Sequence, residues 1–224
     1  MTTAVFSDVD ETLIRVKSMF KFLEFYLAER GEPAGTYDRL TGELRAQALR
    51  GAPRNEINRR YYRLYRGEGA ERLAAAGRRW FADAWERTPN GLFVTEVEQE
   101  LTRHRKAGLP LVLLSGSFFA CLDPIAADIR ADQALGTRPV VRRGELTGEV
   151  LVPMIGATKG RAVRVSSAVR GFDLTGSFAY GDHGSDIPML EAVGHPVVVG
   201  DDEELVGHGR QHGWGRLLTG GRSH

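Results

Sequence analysis

The chain has 224 residues, 42% hydrophobic and 26% charged, enough apolar material for one sizeable domain or a domain with a small insert. A formal net charge of +1 gives no global attraction to nucleic acid or to a membrane surface, and no run approaches the roughly eighteen apolar residues of a membrane span. Cys121 is the only cysteine, which excludes an intramolecular disulfide and a cysteine zinc cluster and fits a reducing cytoplasm; the opening MTTAVFSDVD lacks the basic and apolar regions of a signal peptide.

Val5 and Phe6 suit a short buried strand, which runs straight into the acidic turn Asp8-Val9-Asp10-Glu11-Thr12-Leu13. Open α/β sheets place their ligands at the C-terminal ends of strands. Two residues apart, the side chains of Asp8 and Asp10 diverge there and can take different jobs. From Ile14 to about Asn90 the pattern is helical. Ser18–Leu27 has apolar residues at helical spacing, Pro33–Leu49 reads as a second helix closed by Gly51 and Pro53, and Asn55 can cap a third over Glu56–Arg66. Glu71–Trp85 is the fourth, ahead of the turn Thr88-Pro89-Asn90-Gly91. This block, residues 14–90, carries 16 Lys and Arg against 10 Asp and Glu, an excess of +6, which leaves about −5 for the rest of a chain whose total is +1. A basic block facing an acidic half suits an anionic substrate held at a cation-loaded site; otherwise these charges are solvated helix faces.

The α/β alternation resumes at Leu92. A helix over Val94–Ala107 precedes the strand Pro110–Leu114, which is closed by Ser115-Gly116-Ser117. Further on come a helix over Phe119–Ala131, a short strand at Pro139–Val141, and a turn at Gly144–Gly148 feeding a small β excursion. Thr158-Lys159-Gly160 opens a helix to about Val169, Ser177–Tyr180 is a strand ending in Gly181-Asp182, and Ser185–Ala192 is a helix before the strand Pro196–Val199. The tail, Thr219–His224, is polar and expected to fray. Strands alternating with helices imply right-handed crossovers and a parallel sheet.

Parallel strands gather the polar residues that follow them at one sheet edge: Asp8 and Asp10, then Ser115, Lys159, Asp182 and Asp186. Three or four neighbouring carboxylates need a cation to stay ionised, and oxygen-only ligands suit Mg²⁺, which also favours phosphate.

In that order, Asp8-Val9-Asp10-Glu11-Thr12, Ser115, Lys159 and Gly181-Asp182-x-x-x-Asp186 resemble the four motifs of the haloacid dehalogenase (HAD) superfamily. Leu113–Phe118, Gly144–Glu149 and Asp182–Gly194 are similar to its phosphoserine phosphatase-like branch (subfamily IB). The resemblance implies a Rossmann-like parallel-sheet α/β core, residues 1–13 and 91–224, with a small all-helical cap, residues 14–90, inserted after the first strand. It implies Asp8 as nucleophile and metal ligand, and Asp10 as general acid and base with its main-chain carbonyl on the metal. Ser115, Gly116 and Lys159 would hold the phosphoryl group, with Asp182 and Asp186 on Mg²⁺. The implied activity is hydrolysis of a small phosphorylated metabolite through an aspartyl phosphate, in a cytoplasmic monomer or homodimer that binds neither nucleic acid nor membrane. The alternatives are a phosphotransferase or mutase, in which an alcohol replaces water, and a non-catalytic binding protein on the same fold.

One departure bears on the leaving group. Where phosphoserine phosphatases carry a Glu for the substrate amine, nine residues after the nucleophile, this chain has Lys17, which favours an anionic or neutral hydroxylated leaving group. His183, in the metal loop, either contacts substrate or is solvated. Arg59, Tyr62, Arg63 and Arg66 fall at helical spacing and face substrate, a partner or water.

Overall fold

The computed structural model describes residues 2–88 and 91–220. Pro89 and Asn90 of the expected turn, and the last four residues of the tail, lie outside the described residues.

Strands β1 (Val5–Asp8), β2 (Leu111–Ser115), β3 (Gln133–Gly136), β6 (Phe178–Gly181), β7 (His195–Val199) and β8 (Gly215–Leu217) form one parallel sheet in the order β3-β2-β1-β6-β7-β8. Strands β4 (Arg138–Arg142) and β5 (Glu145–Val152) make a separate antiparallel hairpin. The chain reverses direction across the sheet at β1, between β2 and β6, and the ligand crevice of an open α/β sheet lies beside such a switch point.

Period-two alternation along the strands feeds two apolar clusters. Val5, Leu111, Leu113, Tyr180 and Val199 turn to one face, where they meet α1 (Ser18–Glu29), α3 (Arg54–Arg63), α4 (Ala70–Arg87), α5 (Thr95–Lys106) and α6 (Phe119–Asp128). Phe6, Val112, Leu114, Ala179 and Val198 turn to the other, against α7 (Ala157–Arg170), α8 (Ile187–Leu190) and α9 (Glu203–His212). Helix α2 (Thr36–Leu49) packs on α1 and α3. The helical block is therefore not held by its two connections alone. Phe22, Tyr61, Tyr62, Tyr65 and Trp80 are buried in the same cluster as the sheet face, with Phe118 in ring contact with Phe22, Tyr62 and Tyr65.

Two strands and a helix go beyond the sequence expectation: β3, β8 and α9. The β excursion is a full hairpin, with β5 eight residues long. The helix expected over Ser185–Ala192 is a 3₁₀ turn, Gly184–Asp186, followed by the short α8. Asn55 lies inside α3, whose N-cap is Pro53.

Candidate active site

The carboxylates come together at the C-terminal edge of the sheet. Asp8 is the last residue of β1, and the chain then turns back on itself, with the N–H groups of Leu13 and Ile14 both donating to the Val9 carbonyl. Glu11 closes this turn at φ 64°, a left-handed conformation that a non-glycine residue adopts at a cost. Lys17 forms an ion pair with Glu11 at 3.2 Å and is about half exposed.

Lys159, in the first turn of α7, reaches across to this edge. Its Nζ lies 2.6 Å from Asp8 Oδ1 and 2.6 Å from Asp186 Oδ1, and all three side chains are at least nine-tenths buried. Oxygens of Asp8, Asp182 and Asp186 lie within 4.8 Å of one another. Thr12 joins them: its Oγ1 donates to Asp182 Oδ1 at 2.8 Å and sits 3.4 Å from Asp8 Oδ2. Asp186 Oδ2 accepts from the N–H groups of Asp182 and His183, which folds the loop against the end of β6. Gly181 makes that fold possible, because a Cβ there would lie 2.7 Å from the Asp186 Cβ.

Burial drives the Asp8 carboxyl above its ordinary range, opposed by Lys159 and reinforced by Asp186 and Asp182. Burial also works against the Lys159 charge, but Asp186 and Asp8 outweigh it and hold the ammonium protonated. Among the described residues, the buried ion pairs of Asp8 and Asp186 are both made with one cation, Lys159, so these two carboxylates share a single positive charge. Oxygen-only donors this close, two of them sharing one positive charge, fit a hard divalent cation such as Mg²⁺.

Asp10 points elsewhere. Its Oδ1 accepts from Ser18 N at 3.1 Å, at the start of α1. Lys17, the N-cap residue of that helix, makes no side-chain cap, so Asp10 supplies the missing acceptor from eight residues upstream. Burial pushes the Asp10 carboxyl up to about 7, against hydrogen bonds from Ser18 that favour the charged form. One carboxylate thus faces the carboxylate cluster while its neighbour is held apart at the start of α1.

Ser115 ends β2, buried, and its Oγ accepts from Ser117 N at 3.0 Å. The carbonyl of Gly116 accepts from Asn58 Nδ2 at 2.8 Å, Thr137 Oγ1 at 2.8 Å and the Tyr62 hydroxyl at 3.1 Å. His183 uses its Nδ1 to accept from Ser185 N at 3.0 Å, and its pKa is lowered by burial first and then by Arg54. Arg59 donates to the Val150 carbonyl at 2.5 Å. Helix α3 ends at Arg63, short of the Arg66 expected from the sequence, but Arg63 and Arg66 both lie against Gly148 of β5. Sequence reasoning passed over Thr12, Ser18, Asn58 and Thr137. Thr12 had a local signal, four residues from Asp8 in the same turn. Asn58 and Thr137 had none, because their partner lies 58 and 21 residues away in the chain.

The family model described as haloacid dehalogenase-like hydrolase matches residues 5–191, which includes every residue of this cluster. The chain belongs to that family. It is similar to a Mycobacterium tuberculosis protein named as a probable phosphatase, 37% identical over 123 residues, 55% of this chain and 43% of that protein. The matched part is thus less than half the length of that relative. A second relative, phosphoserine phosphatase SerB1 of the same organism, is 29% identical over 231 residues, covering 96% of this chain and 70% of that protein. Among solved structures, a protein of unknown function from Bordetella pertussis Tohama I superposes with a TM-score of 0.83 at 22% identity, covering 97% of this chain and 99% of that one. Among the described residues, no helix is long and apolar enough to cross a membrane.

Proposed function

We propose that this chain is a Mg²⁺-dependent phosphomonoesterase that hydrolyses a small phosphorylated metabolite through an aspartyl phosphate on Asp8. The observation that supports this most is the pairing of buried Asp8 with Lys159 at 2.6 Å, inside a cluster with Asp182 and Asp186. Asp8 supplies the carboxylate that attacks phosphorus, so one difficult hydrolysis becomes two easier displacements. The Lys159 ammonium, the Ser115 hydroxyl and the Gly116 main chain hold the phosphoryl oxygens in line. Asp8, Asp182, Asp186 and the Asp10 main-chain carbonyl would hold Mg²⁺, which supplies positive charge against the phosphoryl oxygens when bound. Asp10 gives a proton to the leaving alcohol, then takes one from the water that releases phosphate from Asp8.

In this reading residues 14–90 are the cap and residues 1–13 and 91–224 the catalytic core. The name of the SerB1 relative supports a phosphomonoester. Lys17, close behind the acidic turn and paired with Glu11, favours a leaving group without an ammonium. His183, Arg59 and Arg63 are the other proposed specificity residues, the two arginines acting through the hairpin on which they pack. The buried free thiol of Cys121 suits a cytoplasmic location.

The test is phosphate release from a panel of phosphorylated metabolites, in Mg²⁺ and in EDTA. Asp8→Asn keeps the shape and removes the attacking anion, so turnover should fall on the order of 10⁴-fold or more. A rigorously purified variant that kept a tenth of wild-type turnover would rule out the covalent route.

A further inference from the structure

The carbonyls of Ser115, Gly116 and Ser117 are all collected by one residue outside the loop. Thr137, which joins β3 to β4, donates its N–H to the Ser115 carbonyl at 3.2 Å and to the Ser117 carbonyl at 2.7 Å, and its hydroxyl to the Gly116 carbonyl at 2.8 Å. Two more donors reach Gly116 from α3: Asn58 Nδ2 at 2.8 Å and the Tyr62 hydroxyl at 3.1 Å. These two residues are four apart and so share one helix face. Asn58 also lies 3.3 Å from Thr137 through its Oδ1, and Thr137 Oγ1 accepts from Met154 N at 3.1 Å. Asn58, Tyr62 and Thr137 are each buried to 97% or more. Burial keeps the Tyr62 hydroxyl protonated and able to donate.

A carbonyl oxygen is satisfied by one or two donors. Three converging on Gly116 hold the plane of its peptide from one side. In a trans peptide the N–H points the opposite way. That N–H belongs to Ser117, and it donates to Ser115 Oγ at 3.0 Å. With a lone pair of Ser115 Oγ engaged by this N–H, its own hydroxyl proton cannot point at Ser117 N and is left to donate elsewhere. The chain of contacts therefore runs from α3, through one peptide plane, to the hydroxyl assigned above to the phosphoryl group.

We infer that Asn58 and Tyr62 are positioning residues that orient the Ser115 hydroxyl through the Gly116 carbonyl, so the phosphate-binding loop takes its working shape only while α3 is docked on it. This rests on the phosphatase reading for the role of Ser115. It adds that the helical block takes part in the phosphoryl chemistry of any substrate, including one with no leaving-group contacts to offer.

The experiment is a double-mutant cycle between Asn58→Leu and Ser115→Ala, read with para-nitrophenyl phosphate in Mg²⁺ and by calorimetric binding of inorganic phosphate. In the wild-type background, Asn58→Leu should lower kcat about 10–30-fold while KM moves less than about threefold, and should weaken phosphate binding about 3–10-fold. In the Ser115→Ala background the same change should cost less than about twofold. Thr137→Ser, which keeps the hydroxyl, should stay within about threefold of wild type, whereas Thr137→Val should fall with Asn58→Leu. Equal losses in both backgrounds would overturn the inference. Should Asn58→Leu not fold, Tyr62→Phe removes one hydroxyl donor to the same carbonyl and completes the same cycle. A wild-type protein inactive on every ester would refute the phosphatase reading alone, since phosphate binding by the four proteins of the cycle still reports the coupling.

Discussion

Replacing Asp10 by Asn should cost activity and add stability, and the added stability should depend on pH. The carboxyl is raised from 3.8 to about 7 chiefly by burial. Between those values the folded chain keeps a proton that the unfolded chain releases, so stability falls as pH rises through that interval. At ~1.4 kcal/mol per pH unit the whole interval gives ~4 kcal/mol. Asp10 keeps partial solvent contact, and screening reduces the effect to ~1–2 kcal/mol. Asn does not titrate, yet its Oδ1 still accepts from Ser18 N, so the start of α1 stays capped. In EDTA at pH 8 the variant should melt about 2–6 °C above wild type, and at pH 5 the gap should at least halve. In Mg²⁺ it should lose about 10²–10⁴-fold on an alkyl phosphate, less on an aryl phosphate, and accumulate phosphate on Asp8, visible by mass spectrometry. Asp10→Ala is the control: it loses the acceptor as well, at a cost of about 1 kcal/mol. An Asn variant whose melting gap is the same at pH 5 and pH 8 would refute the titration argument, whatever its activity.

Thr12→Val removes the hydroxyl that donates to Asp182 at 2.8 Å; Mg²⁺ affinity, measured by calorimetry, should drop about 10–100-fold, and unchanged affinity would show that Thr12 does not orient the ligand. Gly77→Ala should lower the melting temperature, although alanine ordinarily stabilises a helix by ~0.5–1 kcal/mol, because the new Cβ would fall 1.8 Å from the Ala120 carbonyl oxygen. That carbonyl has no helical donor, since residue 124 is Pro, and the bare backbone of Gly77 is what allows α4 to close on it. A melting temperature at or above wild type would contradict the close helix contact.

Within the parallel sheet, the strands legible in the sequence were those whose burial is two-sided. Strands β1, β2 and β6 read as short apolar runs leading into a polar residue and β7 as an apolar run, and their C-terminal ends lie at the same sheet edge. The outer strands gave no such run. Strand β3 is half-buried throughout and holds Gln133 and Gly136, and β8 is three residues long and mostly exposed. Helix α9 was hidden by Gly207 and Gly209 in its interior, although Asp202 caps it by accepting from Leu205 N at 3.0 Å. At the site, the charged residues were legible because no structural role requires so many carboxylates after successive strands. The neutral residues around them were not, because Asn58 and Thr137 bond the backbone of the Ser115–Ser117 loop and Ser18 bonds Asp10 through its own N–H, and a backbone partner leaves no mark on the sequence.

The basic excess of the helical block needs a different account from the one its composition suggests. The excess itself is not cancelled by pairing inside the block, but many of its cations are engaged there: Arg60 pairs with Glu56, Arg72 and Arg30 with Glu68, Arg79 with Glu29 and Arg87 with Asp83. Most of these pairs are exposed and contribute little to stability, but each commits a cation to its own neighbourhood. Arg59 is committed too, to the Val150 carbonyl. Among the described residues, the cation paired with Asp8 and Asp186 is Lys159, shared between the two. At ~10 Å screening lengths the paired arginines add only a diffuse field. In the proposed reaction the charge at the phosphoryl group would therefore come from Lys159 and a bound metal, and the helical block would act through shape, by way of α3 and the Gly116 peptide, more than through charge.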